Sequence, residues 1–186
     1  MDKNQNRNNI IAMIVENKPG VLFRVTNMIR RKGFNMESMS VDTNIEEGKF
    51  ARMVIVLKGD SKAIEQITKN LRKLIETMKV IRLETEESVV RELALVKIHI
   101  EEPSSRADIQ SFTEAFRGRV VDISFDSMMV EVTGNPEKIN AFTNLVKKFG
   151  IKEVGRTGIT ALTRSAKSKS ATYSPGSVNK TVFEDS

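Results

Sequence analysis

Residues 59–67 read Gly59-Asp60-Ser61-Lys62-Ala63-Ile64-Glu65-Gln66-Ile67, and residues 134–142 read Gly134-Asn135-Pro136-Glu137-Lys138-Ile139-Asn140-Ala141-Phe142. Each is a glycine, a capping residue and then apolar positions three apart, the signature of a helix start. The same punctuation written twice predicts two copies of one architecture.

The elements around each copy follow in the same order. Ile10 to Val15 is a short apolar run read as a strand. Pro19 and Gly20 turn the chain, and Val21, Leu22, Val25, Met28 and Ile29 then recur at helical spacing until Gly33. Met36, Met39, Val41 and Ile45 open a second strand, Glu46 to Lys49 is a hairpin turn, and Phe50 to Leu57 returns as a third. The helix begun at Gly59-Asp60-Ser61 carries Ile64, Ile67, Leu71 and Leu74 on one face, and Met78 to Leu83 is a fourth strand. After the polar stretch Glu84 to Ser88 the order repeats. Leu93 to Ile100 is a strand, Glu101 to Ser105 a loop, and Ile109, Phe112, Ala115 and Phe116 a helical face ended by Gly118. Val120 to Phe125 and Met128 to Val132 pair across Asp126-Ser127. The helix with Ile139, Phe142, Leu145, Val146 and Phe149 follows, and a last strand runs through Ile159, Ala161 and Leu162. The predicted fold is α+β: two tandem ferredoxin-like (βαββαβ) domains over residues 10–84 and 85–164. Residues 165–186, rich in serine and lysine without periodicity, read as a flexible tail.

Composition narrows the function. The 186 residues hold no cysteine, no tryptophan and one histidine, His99. Thiolate nucleophiles, disulfides and cysteine metal sites are out. A catalytic triad or a histidine-bearing metal site would need His99, which falls at an outward position of the alternating run Leu95 to Ile100. Asp42, Glu46 and Glu47 are more simply a solvated turn than an acid–base pair, so the reading is of a chain that is no enzyme by itself. A net charge of +6 raises nucleic acid. The cations are interleaved with acids, however, and Gly33-Phe34 and Lys49-Phe50 only faintly echo an RNA-binding sheet. No apolar run reaches the roughly 20 residues of a membrane span, and Met1 to Asn9 has no apolar signal core. The expectation is a cytoplasmic protein with neither nucleic acid nor membrane as partner.

The chemistry is concentrated at Asn17-Lys18-Pro19-Gly20-Val21-Leu22. A strand feeding straight into a helix exposes free N–H groups and the positive end of the dipole, where a carboxylate fits without a basic side chain. Gly20 lets a ligand approach the backbone, and Asn17 both donates and accepts. Asn35, in Gly33-Phe34-Asn35-Met36-Glu37, lies near a second reversal. A zwitterionic amino acid suits such a site; with neither a Walker motif nor Gly-x-Gly-x-x-Gly, phosphates are not indicated.

Glu16-Asn17-Lys18-Pro19-Gly20-Val21-Leu22-Phe23-Arg24-Val25 and Arg31-Lys32-Gly33-Phe34-Asn35-Met36-Glu37-Ser38-Met39 resemble the ACT domain of the acetolactate synthase small subunit. Val90 to Ile98, Phe116 to Ile123 and Arg156 to Ile159 resemble the rest of that family, so the similarity spans about residues 10 to 164. The resemblance implies a non-catalytic regulatory subunit. It would bind and activate a large catalytic subunit and confer feedback inhibition by a branched-chain amino acid, usually valine. Thiamine diphosphate, Mg and FAD would belong to that partner and none to this chain. The effector would lie between two ACT domains of a homodimer. Asn17, Gly20, Val21 and Leu22 would come from one chain and Asn35 and Met36 from the other. Backbone N–H groups of Gly20, Val21 and Leu22 would take the carboxylate, and the side chains of Val21, Leu22 and Met36 would surround the isopropyl group. A second reading is another ACT-type amino-acid sensor with a different partner.

Overall fold

The computed structural model describes residues 8–165. The chain runs β1 (Asn8–Glu16), α1 (Val21–Arg31), β2 (Met36–Ile45), β3 (Phe50–Lys58), α2 (Ser61–Leu71) and β4 (Thr77–Leu83). It continues with β5 (Ser88–His99), α3 (Pro103–Ala115), β6 (Arg119–Ile123), β7 (Ser127–Gly134), α4 (Pro136–Val146), β8 (Ile151–Arg156) and β9 (Thr160–Thr163). One sheet has the strand order β2-β3-β1-β4 and the other β6-β7-β5-β8, with β9 pairing β5 off that path. Neighbours along both four-strand paths pair antiparallel. Two βαββαβ runs therefore give the same strand order, and the architecture is the tandem ferredoxin-like α+β fold. Among the described residues the chain divides into two compact units: residues 8–89 together with 161–165, and Val90–Thr160. Beyond Ser165, the stretch read as a tail lies outside the described residues.

The first unit is apolar on both faces of its sheet. Ile11, Met13 and Val15 of β1 and Met53, Ile55 and Leu57 of β3 meet Val21, Val25 and Ile29 of α1 and Ile64, Ile67 and Leu71 of α2. The alternate positions Ile10, Ala12, Val54, Val56 and Leu83 are buried as well. Two buried faces explain why β1 and β3 read as continuous apolar runs rather than as alternation. Arg52 lies on this second face, cross-strand from Ile14 and Asp42, and donates to the carbonyl of Ala161 at 2.7 Å. Burial lowers its pKa, and Asp42 opposes that shift. Asp60 caps α2, accepting from the Ala63 amide at 2.8 Å.

The second unit alternates. Ala94, Val96 and Ile98 of β5 are buried with Ile109, Val130, Val132, Ile139, Phe142 and Val146, while Arg91, Lys97 and His99 point to the other side. His99 takes the outward place expected of it, its amide donating to Gly150 and its Nδ1 3.0 Å from the Asp126 carbonyl. Asn135 caps α4 through the Lys138 amide at 3.0 Å, matching Asp60 in the first unit. An ion pair with an internal carboxylate ties β5 to β8: Glu92, 5% exposed, takes Nε and Nη2 of Arg156 at 2.7 and 2.6 Å. The hydrogen-bonded carboxylate raises the Arg156 pKa.

One element departs from the sequence reading. The fourth strand of the second sheet is β8, and the segment with Ala161 and Leu162 is an additional strand, β9. Ile151-Lys152-Glu153-Val154-Gly155-Arg156 is an edge strand exposed at nearly every position, so it has no alternation to read. The polar stretch Glu84 to Ser88 holds one 3₁₀ turn, and Ser88 already belongs to β5.

Candidate functional site

The turn between β1 and α1 is built by its backbone. Gly20 caps α1 at φ 82°, ψ −8°, a left-handed conformation open to glycine at no steric cost. No side chain caps this helix. The Val21 amide reaches the Lys18 carbonyl at a long 3.3 Å. Among the described residues, the amides of Gly20, Leu22 and Phe23 find no protein acceptor. The first turn of α1 also lacks an acidic residue, so its positive end faces outward uncompensated.

Asn17 ties this turn to the β2–β3 hairpin. Its amide N–H donates to Lys49 and its side-chain Nδ2 to the Gly48 carbonyl, both at 2.8 Å. One side-chain N–H and the side-chain oxygen remain for a ligand. The hairpin is held tightly, with Glu46, Glu47 and Gly48 all at positive φ (46°, 56° and 84°). Lys18 pairs with Glu16 at 2.7 Å.

Two further side chains reach the turn that sequence reasoning did not name. Arg24 lies one helical turn beyond Gly20 and so on the same side. A Cβ added to Gly20 would stand 3.4 Å from its Nη1. Its Nη2 pairs with Glu76 at 2.6 Å. The i, i+4 spacing was a signal for Arg24; Glu76, just ahead of β4, had none.

The remaining predicted residues divide. Leu22 is 44% exposed beside the open amides, with Phe23 at 70%. Val21 is 3% exposed, its side chain belongs to the core and its amide is taken by Lys18, so the open amides are those of Gly20, Leu22 and Phe23 rather than the expected Gly20, Val21 and Leu22. Asn35 and Met36 are not near the turn in this chain. Met36 pairs with Leu57 at one end of β3, whereas Glu16 pairs with Phe50 at the other. Seven residues of strand put roughly 20 Å between those ends. Met36 packs half-buried on the first core, and Asn35 is exposed. Among the described residues no cluster of three or more His, Asp or Glu is placed to hold a metal, and no helix is long and apolar enough to cross a membrane.

Comparison with known proteins identifies the family. The family described as "Small subunit of acetolactate synthase" matches residues 91–165, and "AHAS small subunit-like ACT domain" matches residues 11–79. The chain is 50% identical to the probable acetolactate synthase small subunit of Archaeoglobus fulgidus over 84% of its own length and 97% of that protein's. It is 46% identical to the acetolactate synthase small subunit of Aquifex aeolicus, over 87% of this chain and 84% of that one. The crystal structure of the Thermotoga maritima acetolactate synthase small subunit superposes with a TM-score of 0.78 at 39% identity, covering 85% of this chain and 98% of that one. An ACT domain, followed by the second domain typical of these proteins and matched over nearly the whole length of such relatives, makes this chain a member of the acetolactate synthase small-subunit family.

Proposed function

We propose that this chain is the regulatory subunit of an acetolactate synthase. It binds and activates the catalytic large subunit and makes it sensitive to feedback inhibition by a branched-chain amino acid, valine. Residues 10–84 form the amino-acid-sensing domain and 85–164 the C-terminal regulatory domain. Catalysis, with thiamine diphosphate, Mg and FAD, belongs to the large subunit, and the complex works in the cytoplasm.

The observation that carries the reading is the glycine-capped start of α1 with its unsatisfied amides. A carboxylate on the Gly20, Leu22 and Phe23 amides gains charge-assisted hydrogen bonds of about 1.5–3 kcal/mol each. Rigid-body and ordering losses offset much of that. A dissociation constant from micromolar to millimolar, about −8 to −4 kcal/mol, suits a metabolite sensor.

The topology supports a site shared between two copies. β2 is the edge strand of its sheet, and α1 delivers the chain to it. Leu22, Phe23 and Val41 are exposed on these two elements. Antiparallel pairing of β2 with the β2 of a second copy about a two-fold axis is isologous. It sets the Met36 end of one copy beside the hairpin end of the other. Asn35 and Met36 then meet the partner copy's Asn17–Leu22 turn, which they cannot reach within their own chain. The test is to mix the purified chain with its large subunit and titrate valine, leucine and isoleucine. Raised synthase activity that one of these amino acids then suppresses supports the proposal. No activation, or activation indifferent to all three, overturns it.

A further inference from the structure

We propose that Arg24, held in place by Glu76, reads the ligand's carboxylate and sets a preference for free amino acids over their amides. This rests on the amino-acid site proposed above. The Arg24 guanidinium lies beside Gly20, its Nη1 3.4 Å from where a Cβ would stand. Its position is anchored. Glu76, 12% exposed, takes Nη2 at 2.6 Å, while Arg24 remains 45% exposed. The backbone of Glu76 is fixed in turn, its carbonyl accepting from the Glu16 amide at 2.9 Å. The end of β1, the first turn of α1 and the approach to β4 thus converge on one cation.

A guanidinium carries five N–H donors in a plane suited to a carboxylate. Glu76 engages one edge, and Nη1 turns toward Gly20. Gly20 is required for its left-handed φ, and a longer side chain there would extend toward the guanidinium. Lys18, the other cation of the turn, is 64% exposed and already paired with Glu16. Glu76 is a positioning residue that acts through Arg24.

The test is isothermal titration of the full chain with L-valine, L-leucine and L-isoleucine and with the amide of whichever binds best. The native chain should bind the free acid at least about tenfold better than the amide, the scale of one charge-assisted hydrogen bond. Arg24→Gln should weaken the acid about tenfold and leave the amide unchanged, so the preference collapses; Arg24→Lys should restore part of it. Glu76→Gln should move the ratio in the same direction by less. Equal loss of acid and amide in Arg24→Gln, or no loss of either, overturns the role of Arg24 while leaving the site. If the native chain binds none of the three amino acids, the site itself fails and Arg24 with it.

Discussion

The two units share a strand order and diverge at the first strand-to-helix turn. In the first unit α1 begins on a left-handed glycine, with no side-chain cap and no acidic residue in its first turn. In the second, α3 begins after Glu101 and Glu102, with Pro103 at its start. The Glu102 carboxylate accepts from Ser104 Oγ at 3.2 Å, and its carbonyl from the Ser105 amide at 3.0 Å. Neither helix has a side-chain cap or an acidic residue in its first turn; what differs is the cap residue, a left-handed glycine in α1 and an extended glutamate in α3. An acidic residue at the cap disfavours an anion there, whereas glycine leaves the backbone open to approach. On the function proposed above, this one turn separates the two copies of the fold.

The arginine–carboxylate pairs differ in what they join. Glu92–Arg156 has an internal carboxylate, 5% exposed, and holds β5 to β8. Arg24–Glu76 is built alike, with a carboxylate 12% and an arginine 45% exposed, but it joins the first turn of α1 to the approach to β4. Removing the arginine from a pair whose carboxylate is internal strands a charge and costs up to about 3–5 kcal/mol. The first pair ties two strands of one sheet; the second holds a guanidinium beside Gly20.

Breaking the comparison begins with the Glu92 pair. Arg156→Ala should lower unfolding free energy by about 3 kcal/mol in urea denaturation, since Glu92 is left buried and charged. Gly20→Asp places a carboxylate beside Arg24 at a φ that strains any L-residue, and should weaken amino-acid binding at least about 100-fold by titration calorimetry. Asn17→Ala removes the side-chain bond to Gly48 while the backbone bond to Lys49 stays, and should weaken binding about tenfold and stability by about 1 kcal/mol. The smallest effects concern features the units share. Asp60→Ala and Asn135→Ala each remove one cap and should cost about 1 kcal/mol alike in thermal melts.

Much of the fold is legible in the sequence because it depends on local rules. The caps at Asp60 and Asn135, the apolar spacing of Val21, Val25 and Ile29 and the Pro19-Gly20 break each act within a few residues. β8 is not legible, because an exposed edge strand has no buried face to impose a pattern. Val21 reads as a ligand-facing side chain because a string of letters does not show which face of the first turn is turned inward. Arg24 is readable from its spacing to Gly20, but the carboxylate that fixes it comes from Glu76, far along the chain. The separation of Asn35 and Met36 from the turn follows from sheet register, which only the paired strands reveal.

The central claim, half an amino-acid site on each chain, is tested most directly by mixing two inactive variants. Gly20→Asp and Asn35→Ala homodimers should each bind valine poorly. After subunit exchange at equal amounts, half of the dimers are mixed. Each mixed dimer carries one site with both lesions and one with neither, so about one quarter of all sites should recover native affinity in calorimetry. No recovery despite demonstrated exchange would contradict a site shared between two copies.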